Sequence, residues 1–151
     1  METKHSPIFI GSDHGGFALK RALTAFLKRK GFSVADAGCF DENPVDYPRI
    51  AQRVARQVGA GKARGILVCG TGIGMAMAAN KVNGVRAALA YDEYTARMSR
   101  QHNDSNLLAL GGRTTFVARA KKIVDVWLNT AFEGGRHARR VRQIMASEKK
   151  R

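Results

Sequence analysis

Cysteine is scarce in this chain of 151 residues, which contains only Cys39 and Cys69. Two thiols make no disulfide framework, so we expect a reducing, cytoplasmic compartment. No apolar run is long enough to cross a membrane, and the residues before the first strand lack the pattern of a signal peptide. Internal repeats and low-complexity segments are also missing. These absences favour a single globular domain spanning residues 1–151.

Acidic residues are the second shortage, since 12 Asp and Glu accompany 26 Lys and Arg and leave a net charge of +14. Such a charge favours an anionic partner, either nucleic acid or a phosphorylated metabolite. Few aromatic residues interrupt the basic C-terminus, and no helix-turn-helix, zinc-finger or RNA-binding signature is present. Nucleic-acid binding, which would be strongly salt-dependent, is therefore supported by charge alone. The sequence favours the small phosphorylated ligand.

Short apolar runs alternate with amphipathic stretches along the chain. The apolar runs predict five strands, at 7–11, 32–36, 66–68, 85–90 and 106–110. The amphipathic stretches predict six helices, at 17–30, 49–59, 75–81, 93–101, 118–130 and 136–148. This alternation is typical of an α/β fold, a doubly wound, Rossmann-like α/β/α sandwich around a five-stranded parallel sheet. Residues from about 134 to 151 form an extra, basic C-terminal helix.

The third strand leads into Cys69-Gly70-Thr71-Gly72-Ile73-Gly74, a loop with glycine at every second position. Glycine lets the backbone approach a ligand, and the free N–H groups of the next helix can bind an anion. The same spacing also suits a loop that is glycine-rich only because packing is tight. Cys69 stands beside these donors as a candidate base or nucleophile, although free cysteine is most often a small buried hydrophobe. The G-x-G-x-x-G of dinucleotide folds is absent from the first turn.

In a parallel sheet all strand-to-helix turns lie at one end, where such sheets bind ligands. That end is predicted to carry the glycine loop together with Asp13, His14, Tyr47, Asp92 and Arg113. Taken singly, Asp13 suits a helix N-cap and His14 suits the surface. Together with the loop they predict a ligand site.

A second polar cluster, Gln-His-Asn-Asp-Ser-Asn at 101–106, lies in a helix-to-strand turn. Asn and Asp there are equally typical of a capped helix end followed by a turn. Such a turn belongs to the opposite end of the sheet. A catalytic His102 would therefore act in the site of a neighbouring subunit, which motivates the hypothesis of a dimer with shared sites.

Arg136 and Arg140 are four residues apart on the last predicted helix and share a face. Two guanidinium groups on one face suit a phosphate, because arginine offers forked donors. A solvated basic face is the alternative interpretation, and His137 fits either. Met75 and Met77, on the helix after the glycine loop, are predicted to be core residues.

These motifs, in this order, resemble the ribose-5-phosphate isomerase B family, which includes the galactose-6-phosphate isomerase subunits. The resemblance runs nearly end to end. It rests on Gly-Ser-Asp-His-Gly-Gly at 11–16, Asp-Tyr-Pro at 46–48, the loop at 69–74, Ala-Ala-Asn-Lys at 78–81, Ser-Arg-Gln-His-Asn-Asp at 99–104, Leu-Gly-Gly-Arg at 110–113 and Gly-Gly-Arg-His at 134–137. It implies aldose–ketose isomerisation of a sugar phosphate without a metal ion or an organic cofactor.

The resemblance also implies catalytic roles. Some members carry a glutamate base just after the glycine loop, but Met75 holds that position here and cannot take a proton. The role of base therefore falls to Cys69, as in the cysteine-type members. The histidine matching His102 assists ring opening, with Asp13 nearby, and Thr71 hydrogen-bonds near the thiol or the substrate.

Binding roles follow in the same way. The developing oxyanion would sit on the backbone N–H groups of Gly70, Thr71, Gly72, Ile73 and Gly74. Asn103 would contact a sugar hydroxyl, and Tyr47 would line the sugar pocket. The phosphate would be held by His14, Arg113, Arg136 and Arg140.

The implied reaction interconverts D-ribose 5-phosphate and D-ribulose 5-phosphate through a cis-enediolate, a step of the pentose phosphate pathway. An isomerase of a hexose 6-phosphate, of the allose or galactose type, is the alternative. Hexose members often divide the catalytic residues between two different subunits, whereas this chain keeps them all. We expect a homodimer, or a tetramer of paired dimers, with shared active sites and the C-terminal helix at the dimer interface.

Overall fold

The computed structural model describes residues 6–150. Five strands alternate with helices: β1 (Ile8–Ser12), β2 (Val34–Asp36), β3 (Arg64–Cys69), β4 (Ala87–Leu89) and β5 (Leu107–Gly111). The helices are α1 (Phe17–Arg29), α2 (Tyr47–Gly59), α3 (Ile73–Ala79), α4 (Glu93–Gln101), α5 (Val117–Asn129) and α6 (Arg136–Ala146), and a 3₁₀ turn (His14–Gly16) precedes α1. Within residues 6–150, none of these helices has the length and apolar character that a membrane span requires.

All neighbouring strands pair in parallel, in the order β2-β1-β3-β5-β4. The predicted five-stranded, doubly wound sandwich is therefore confirmed. From β1 the chain moves outward to β2, and from β3 it builds the other half of the sheet. The winding thus reverses between β1 and β3, and the crevice outside the carboxyl ends of such strands is where open α/β sheets bind ligands. Ser12 pairs with Val68 and Cys69 with Gly111, which brings the ends of three strands level.

Side-chain alternation along β3 divides the core in two. Ile66 and Val68 pack with apolar residues of α1 and α5, whereas Leu67 and Cys69 pack with those of α2 and α3. All four are buried. Burial on both faces explains why the central strands read as continuous apolar runs. The alternation along β3 places the thiol of Cys69 on the side of the sheet that packs against α2 and α3.

One core prediction is wrong, because Met77 is 65% exposed while Met75 is fully buried. The helix α3 has only seven residues, and those facing the sheet are Met75 and Ala79. Residues four apart lie on the same side of a helix, whereas residues two apart lie on nearly opposite sides. Met77 therefore points away from the core that holds Met75.

The C-terminal helix α6 is peripheral, and within it only His137 is buried. It begins after Gly134 and Gly135, whose φ angles of 68° and 55° favour glycine. Its far end lies against the segment before β4, where Asn83 Nδ2 donates to the carbonyl of Lys149 at 2.8 Å. The helix ends at Ala146, two residues before the predicted end, and residue 151 lies outside the described part of the chain. Its place at a dimer interface stays a prediction.

Candidate active site

The glycine loop folds back over the thiol of Cys69, the last residue of β3. The N–H of Gly72 donates to Cys69 Sγ at 3.1 Å, and the N–H of Ile73 donates to Thr71 Oγ1 at 3.3 Å. Gly72 has a φ of 81°, and a Cβ there would lie 2.9 Å from the backbone of Leu110. Only glycine fits at this position, so Gly72 is required for the turn that brings its N–H onto the thiol.

Backbone hydrogen bonds join the turns after β1, β3 and β5. The N–H of Asp13 donates to Val68 O at 3.2 Å, and that of Gly112 donates to Cys69 O at 2.7 Å. The N–H of Arg113 donates to Gly70 O at 3.0 Å. The three turns are therefore hydrogen-bonded into one continuous surface, as the common direction of the strands predicts.

The side chains of Asp13, His14 and Tyr47 border the surface formed by these turns. Asp13 is buried and accepts the N–H of Gly16 at 3.1 Å, so it also caps the 3₁₀ turn. His14 Nδ1 accepts the N–H of Val45 at 3.3 Å, which leaves Nε2 as the nitrogen that can carry a proton. The ring of Tyr47 lies over Gly74, where a Cβ would be only 2.8 Å from its hydroxyl. A side chain at that position would displace the tyrosine.

The arginine after β5 completes the set. A Cβ on Gly70 would lie 3.3 Å from Arg113 Nη1, so the guanidinium group extends across the glycine loop. We call this assembly the thiol cluster. It comprises Asp13, His14, Tyr47, the loop from Cys69 to Gly74, and Arg113.

A second assembly surrounds His102, which caps the C-terminus of α4. Its ring stacks on that of His137, with centroids 4.1 Å apart and planes 9° apart. Glu133 Oε2 lies 3.6 Å from His137 Nε2, and the N–H of Glu133 donates to Gln101 O at 3.1 Å. We call this assembly the imidazole cluster. It comprises His102, Asn103, Glu133, Arg136, His137 and Arg140.

The two clusters lie at opposite ends of the sheet. Cys69 ends β3 at its carboxyl end, whereas His102 precedes the amino end of β5. The five residues of β5, with a rise of about 3.3 Å per residue, separate the two ends of this strand by roughly 13 Å. The predicted catalytic residues thus form two separate sets within one chain, as the hypothesis of shared sites requires.

Three residues of the imidazole cluster resemble a metal-ligand set. His102, Glu133 and His137 each offer a donor atom, and these atoms lie within 4.8 Å of one another. However, the stacked imidazoles hold their lone pairs in two nearly parallel planes that do not converge on one ion, and the neighbouring arginines oppose a cation. The observed arrangement is therefore not a preformed coordination site.

Asp92, which the sequence also placed at the carboxyl end, has a structural role. Its carboxylate accepts hydrogen bonds from the N–H and the hydroxyl of Thr95, both at 2.7 Å, and caps α4. These two hydrogen bonds lower the pKa of Asp92. The carboxylate is thus engaged by its own helix.

Burial lowers the pKa of His137, and the positive charges of His102, Arg136 and Arg140 lower it further, while Glu133 raises it. The imidazole cluster therefore combines a buried histidine with a lowered pKa and exposed guanidinium groups. Such a set suits an anion whose hydroxyl groups also need neutral hydrogen-bonding partners.

Sequence reasoning missed Glu133 and left His137 open. The one available signal was the spacing of Glu133 and His137, which are four residues apart. That spacing is weak evidence, because Gly134 and Gly135 lie between the two residues and disfavour a continuous helix. The stack between His102 and His137 joins segments far apart in the chain, and no local pattern indicates it.

Comparison with known proteins gives a consistent result. The family described as Ribose/Galactose Isomerase matches residues 8–144. The chain is 47% identical over 145 residues to ribose-5-phosphate isomerase B of Escherichia coli, covering 95% of this chain and 97% of that protein. It is 45% identical over 141 residues to a D-erythrulose-4-phosphate isomerase of Pectobacterium atrosepticum, covering 91% of each.

Solved structures of similar proteins have the same fold as this chain. Ribose-5-phosphate isomerase B of Mycoplasma genitalium, with bound ribulose 5-phosphate, matches with a TM-score of 0.90 and 47% identity, over 93% of this chain and 94% of that one. A ribose 5-phosphate isomerase of Thermotoga maritima matches with a TM-score of 0.92 and 45% identity, over 94% and 99%.

The lowered pKa of His137 predicts a pH-dependent loss of stability. Because the folded-state pKa lies below the unfolded value of 6.5, the unfolded chain binds the proton first as pH falls. The free energy of unfolding should therefore decline below about pH 6.5 until the folded-state pKa is reached. We expect His137→Asn to flatten this decline in urea unfolding between about pH 7.5 and about pH 5.5, and His14→Asn, the control, to retain it. Parallel curves for wild type and His137→Asn would contradict this prediction.

Proposed function

The chain belongs to the ribose/galactose isomerase family, and from this premise we propose that its active site interconverts D-ribose 5-phosphate and D-ribulose 5-phosphate. The observation that carries the proposal is the 47% identity, across 95% of the chain, to a protein named ribose-5-phosphate isomerase B. The residues to which the resemblance gave roles all belong to the thiol cluster or the imidazole cluster. Both halves of the chemistry are therefore present in one polypeptide.

The central step is a proton transfer between two carbons. The thiolate of Cys69 takes the proton from C2 of the open-chain aldose, and the resulting thiol returns it to C1. A second proton moves from the C2 hydroxyl to O1, so the atoms balance through a cis-enediolate. The Gly72 N–H donates to Cys69 Sγ at 3.1 Å and so holds the sulfur against the glycine loop. Met75, the neighbour on α3, is buried and cannot accept a proton.

The glycine loop supplies donors for the charge that develops on oxygen. Gly72 and Ile73 already donate within the loop, to Cys69 Sγ and to Thr71 Oγ1. The enediolate oxygen would then meet the N–H groups of Gly70, Thr71 and Gly74. A single donor of this kind typically lowers a barrier by about 2.7–4 kcal/mol.

Ring opening needs the other cluster. Ribose 5-phosphate is a furanose until a proton leaves the anomeric hydroxyl and another reaches the ring oxygen. His102 would carry this proton, with Asn103 holding a sugar hydroxyl and Asp13 of the thiol cluster nearby. The phosphate would bind between Arg113 and the pair Arg136 and Arg140. This assignment needs both clusters around one substrate molecule.

A homodimer meets that need. The two clusters of one chain lie at opposite ends of the sheet, whose strand β5 alone is roughly 13 Å long. A twofold axis can set the thiol cluster of one copy against the imidazole cluster of the other. The surface beside the glycine loop is apolar enough for such a contact. Its exposed residues are Ile73, Met77, Leu89, Tyr91 and Tyr94. Ile73 and Met77 share one face of α3, and β4 is an edge strand. Burying this surface would stabilise the pairing.

The direct test is turnover of ribose 5-phosphate by purified protein in the presence of a chelator. We expect Cys69→Ala to lower kcat by about 10²- to 10⁴-fold, because the proton carrier is lost. Cys39→Ala, which removes the other thiol, should retain activity. Full activity of Cys69→Ala would exclude the proposed base. If allose 6-phosphate, galactose 6-phosphate or erythrulose 4-phosphate were turned over faster than ribose 5-phosphate, that sugar phosphate would be assigned as the substrate instead.

The roles of His102 and Cys69 can be separated, because ribulose 5-phosphate has no ring to open. In deuterated buffer, Cys69 alone should exchange the C1 proton of ribulose 5-phosphate. We expect His102→Asn to lower turnover of ribose 5-phosphate by about 10²-fold or more while this exchange continues, as followed by proton NMR. Cys69→Ala should lose both activities. Loss of both in His102→Asn would show that the histidine does not act in ring opening.

Shared sites predict complementation between two inactive variants. A dimer of one Cys69→Ala chain and one His102→Asn chain has one site with both residues intact and one with neither. Random exchange of subunits should therefore restore about a quarter of wild-type activity, since half of the dimers are mixed. The measurement is turnover after the two variants are co-refolded. No recovery, with mixed dimers demonstrated by mass spectrometry, would place Cys69 and His102 of one chain in the same site.

A further inference from the structure

The turn that carries His102 and Asn103 has an unusual backbone. Asp104, the next residue, has a φ of 47°, and it is the one non-glycine residue with a positive φ among residues 6–150. Aspartate and asparagine tolerate this left-handed conformation better than other side chains, but it remains uncommon and needs support from its surroundings. The resemblance assigned Asp104 no role.

That support comes from two arginines. Arg100 Nη1 donates to Asp104 Oδ1 at 2.9 Å, and Arg86 Nη2 donates to Oδ2 at 3.3 Å. The backbone of Asp104 joins the same pair, because its carbonyl accepts from Arg86 Nε at 2.8 Å and its N–H donates to Arg100 O at 3.2 Å. One residue thus bridges α4 and the segment leading into β4 through both side chain and backbone.

The arginine on α4 is itself fixed. The side chain of Arg100 is 7% exposed, and besides Asp104 it donates to the carbonyls of Ser105 and Thr130. Ser105 Oγ accepts from Trp127 Nε1 at 2.8 Å and lies 2.9 Å from Ser99 Oγ. The turn is therefore tied to α5, which packs against the sheet. A guanidinium group buried to this extent requires a counter-charge, and Asp104 supplies it.

We propose that Asp104 is a positioning residue for ring opening. It locks the turn between α4 and β5 so that His102 and Asn103, immediately before it, project outward in one fixed arrangement toward the neighbouring subunit. A misplacement of about 1 Å can cost about 100-fold in rate. Because both carboxylate oxygens of Asp104 are engaged by arginines, it acts through His102. The inference therefore rests on the ring-opening role proposed for that histidine.

The test is Asp104→Asn, which keeps the size and the tolerance of a positive φ but removes the counter-charge. We expect kcat for ribose 5-phosphate to fall by about 10- to 100-fold. Exchange of the C1 proton of ribulose 5-phosphate should stay within about twofold of wild type, because it depends on Cys69 of the other subunit. The ring-proton NMR signals of His102, shifted by the stack on His137, should move toward those of a free imidazole.

Asp125→Asn is the matched control, since it removes a carboxylate from an exposed ion pair with Lys30. It should leave both activities and the His102 signals unchanged. If Asp104→Asn fails to fold, Arg86→Met decides the question. It removes two of the hydrogen bonds to Asp104 while leaving the ion pair with Arg100, and the same split between turnover and exchange is expected.

The inference is overturned by a folded Asp104→Asn protein that turns over ribose 5-phosphate like wild type, or that loses turnover and exchange equally. A wild-type protein inactive on ribose 5-phosphate would instead refute the proposed function. A His102→Asn protein that loses exchange along with turnover would refute the role of His102. The inference would fall with either of these results. The three outcomes are distinguishable, because each is read from a different protein: wild type, His102→Asn or Asp104→Asn.

Discussion

The common direction of the five strands is the constraint on which the remaining architecture depends. Because every strand is parallel to its neighbours, every strand-to-helix turn lies at one end and every helix-to-strand turn at the other. Cys69 ends a strand and His102 follows a helix, so the two lie at opposite ends of the sheet within one chain. A reaction that uses both must therefore recruit a second copy, and the exposed apolar face of α3 and β4 offers it a docking surface.

Glycine enables the second level of organisation, the close approach of three turns. A Cβ on Gly16 would lie 2.4 Å from Val68 O, and one on Gly112 would lie 2.6 Å from Gly15 O. Backbone therefore touches backbone where the turns after β1, β3 and β5 meet, and no larger residue fits these positions without a shift. The thiol of Cys69, the carboxylate of Asp13 and the guanidinium group of Arg113 are grouped as a consequence. Glycines that looked like an anion cradle also act as spacers between the turns.

Much of this was accessible from the sequence, because it follows from periodicity and direction. Apolar runs located the strands, the parallel rule placed Cys69 and His102 at opposite ends, and the family motifs named both. Met77 was misjudged because an apolar residue on a short helix was assigned to the core without regard to the face it occupies. The stack of His102 on His137 and the left-handed backbone of Asp104 were out of reach. The stack joins segments distant in the chain, and the turn at Asp104 is held in part by Arg86, 18 residues away. Local patterns do not encode such contacts.

Two groups of arginines have different physical roles. Arg86 and Arg100 are paired with Asp104 and partly or fully withdrawn from solvent, so they serve the shape of the turn. Arg113, Arg136 and Arg140 are exposed and border the two clusters, where they can meet a phosphate. In the proposed dimer each subunit contributes its thiol cluster to one site and its imidazole cluster to the other. Separation of the subunits would then abolish catalysis while leaving each cluster intact, which makes the pairing of chains as much a part of the active site as the thiol.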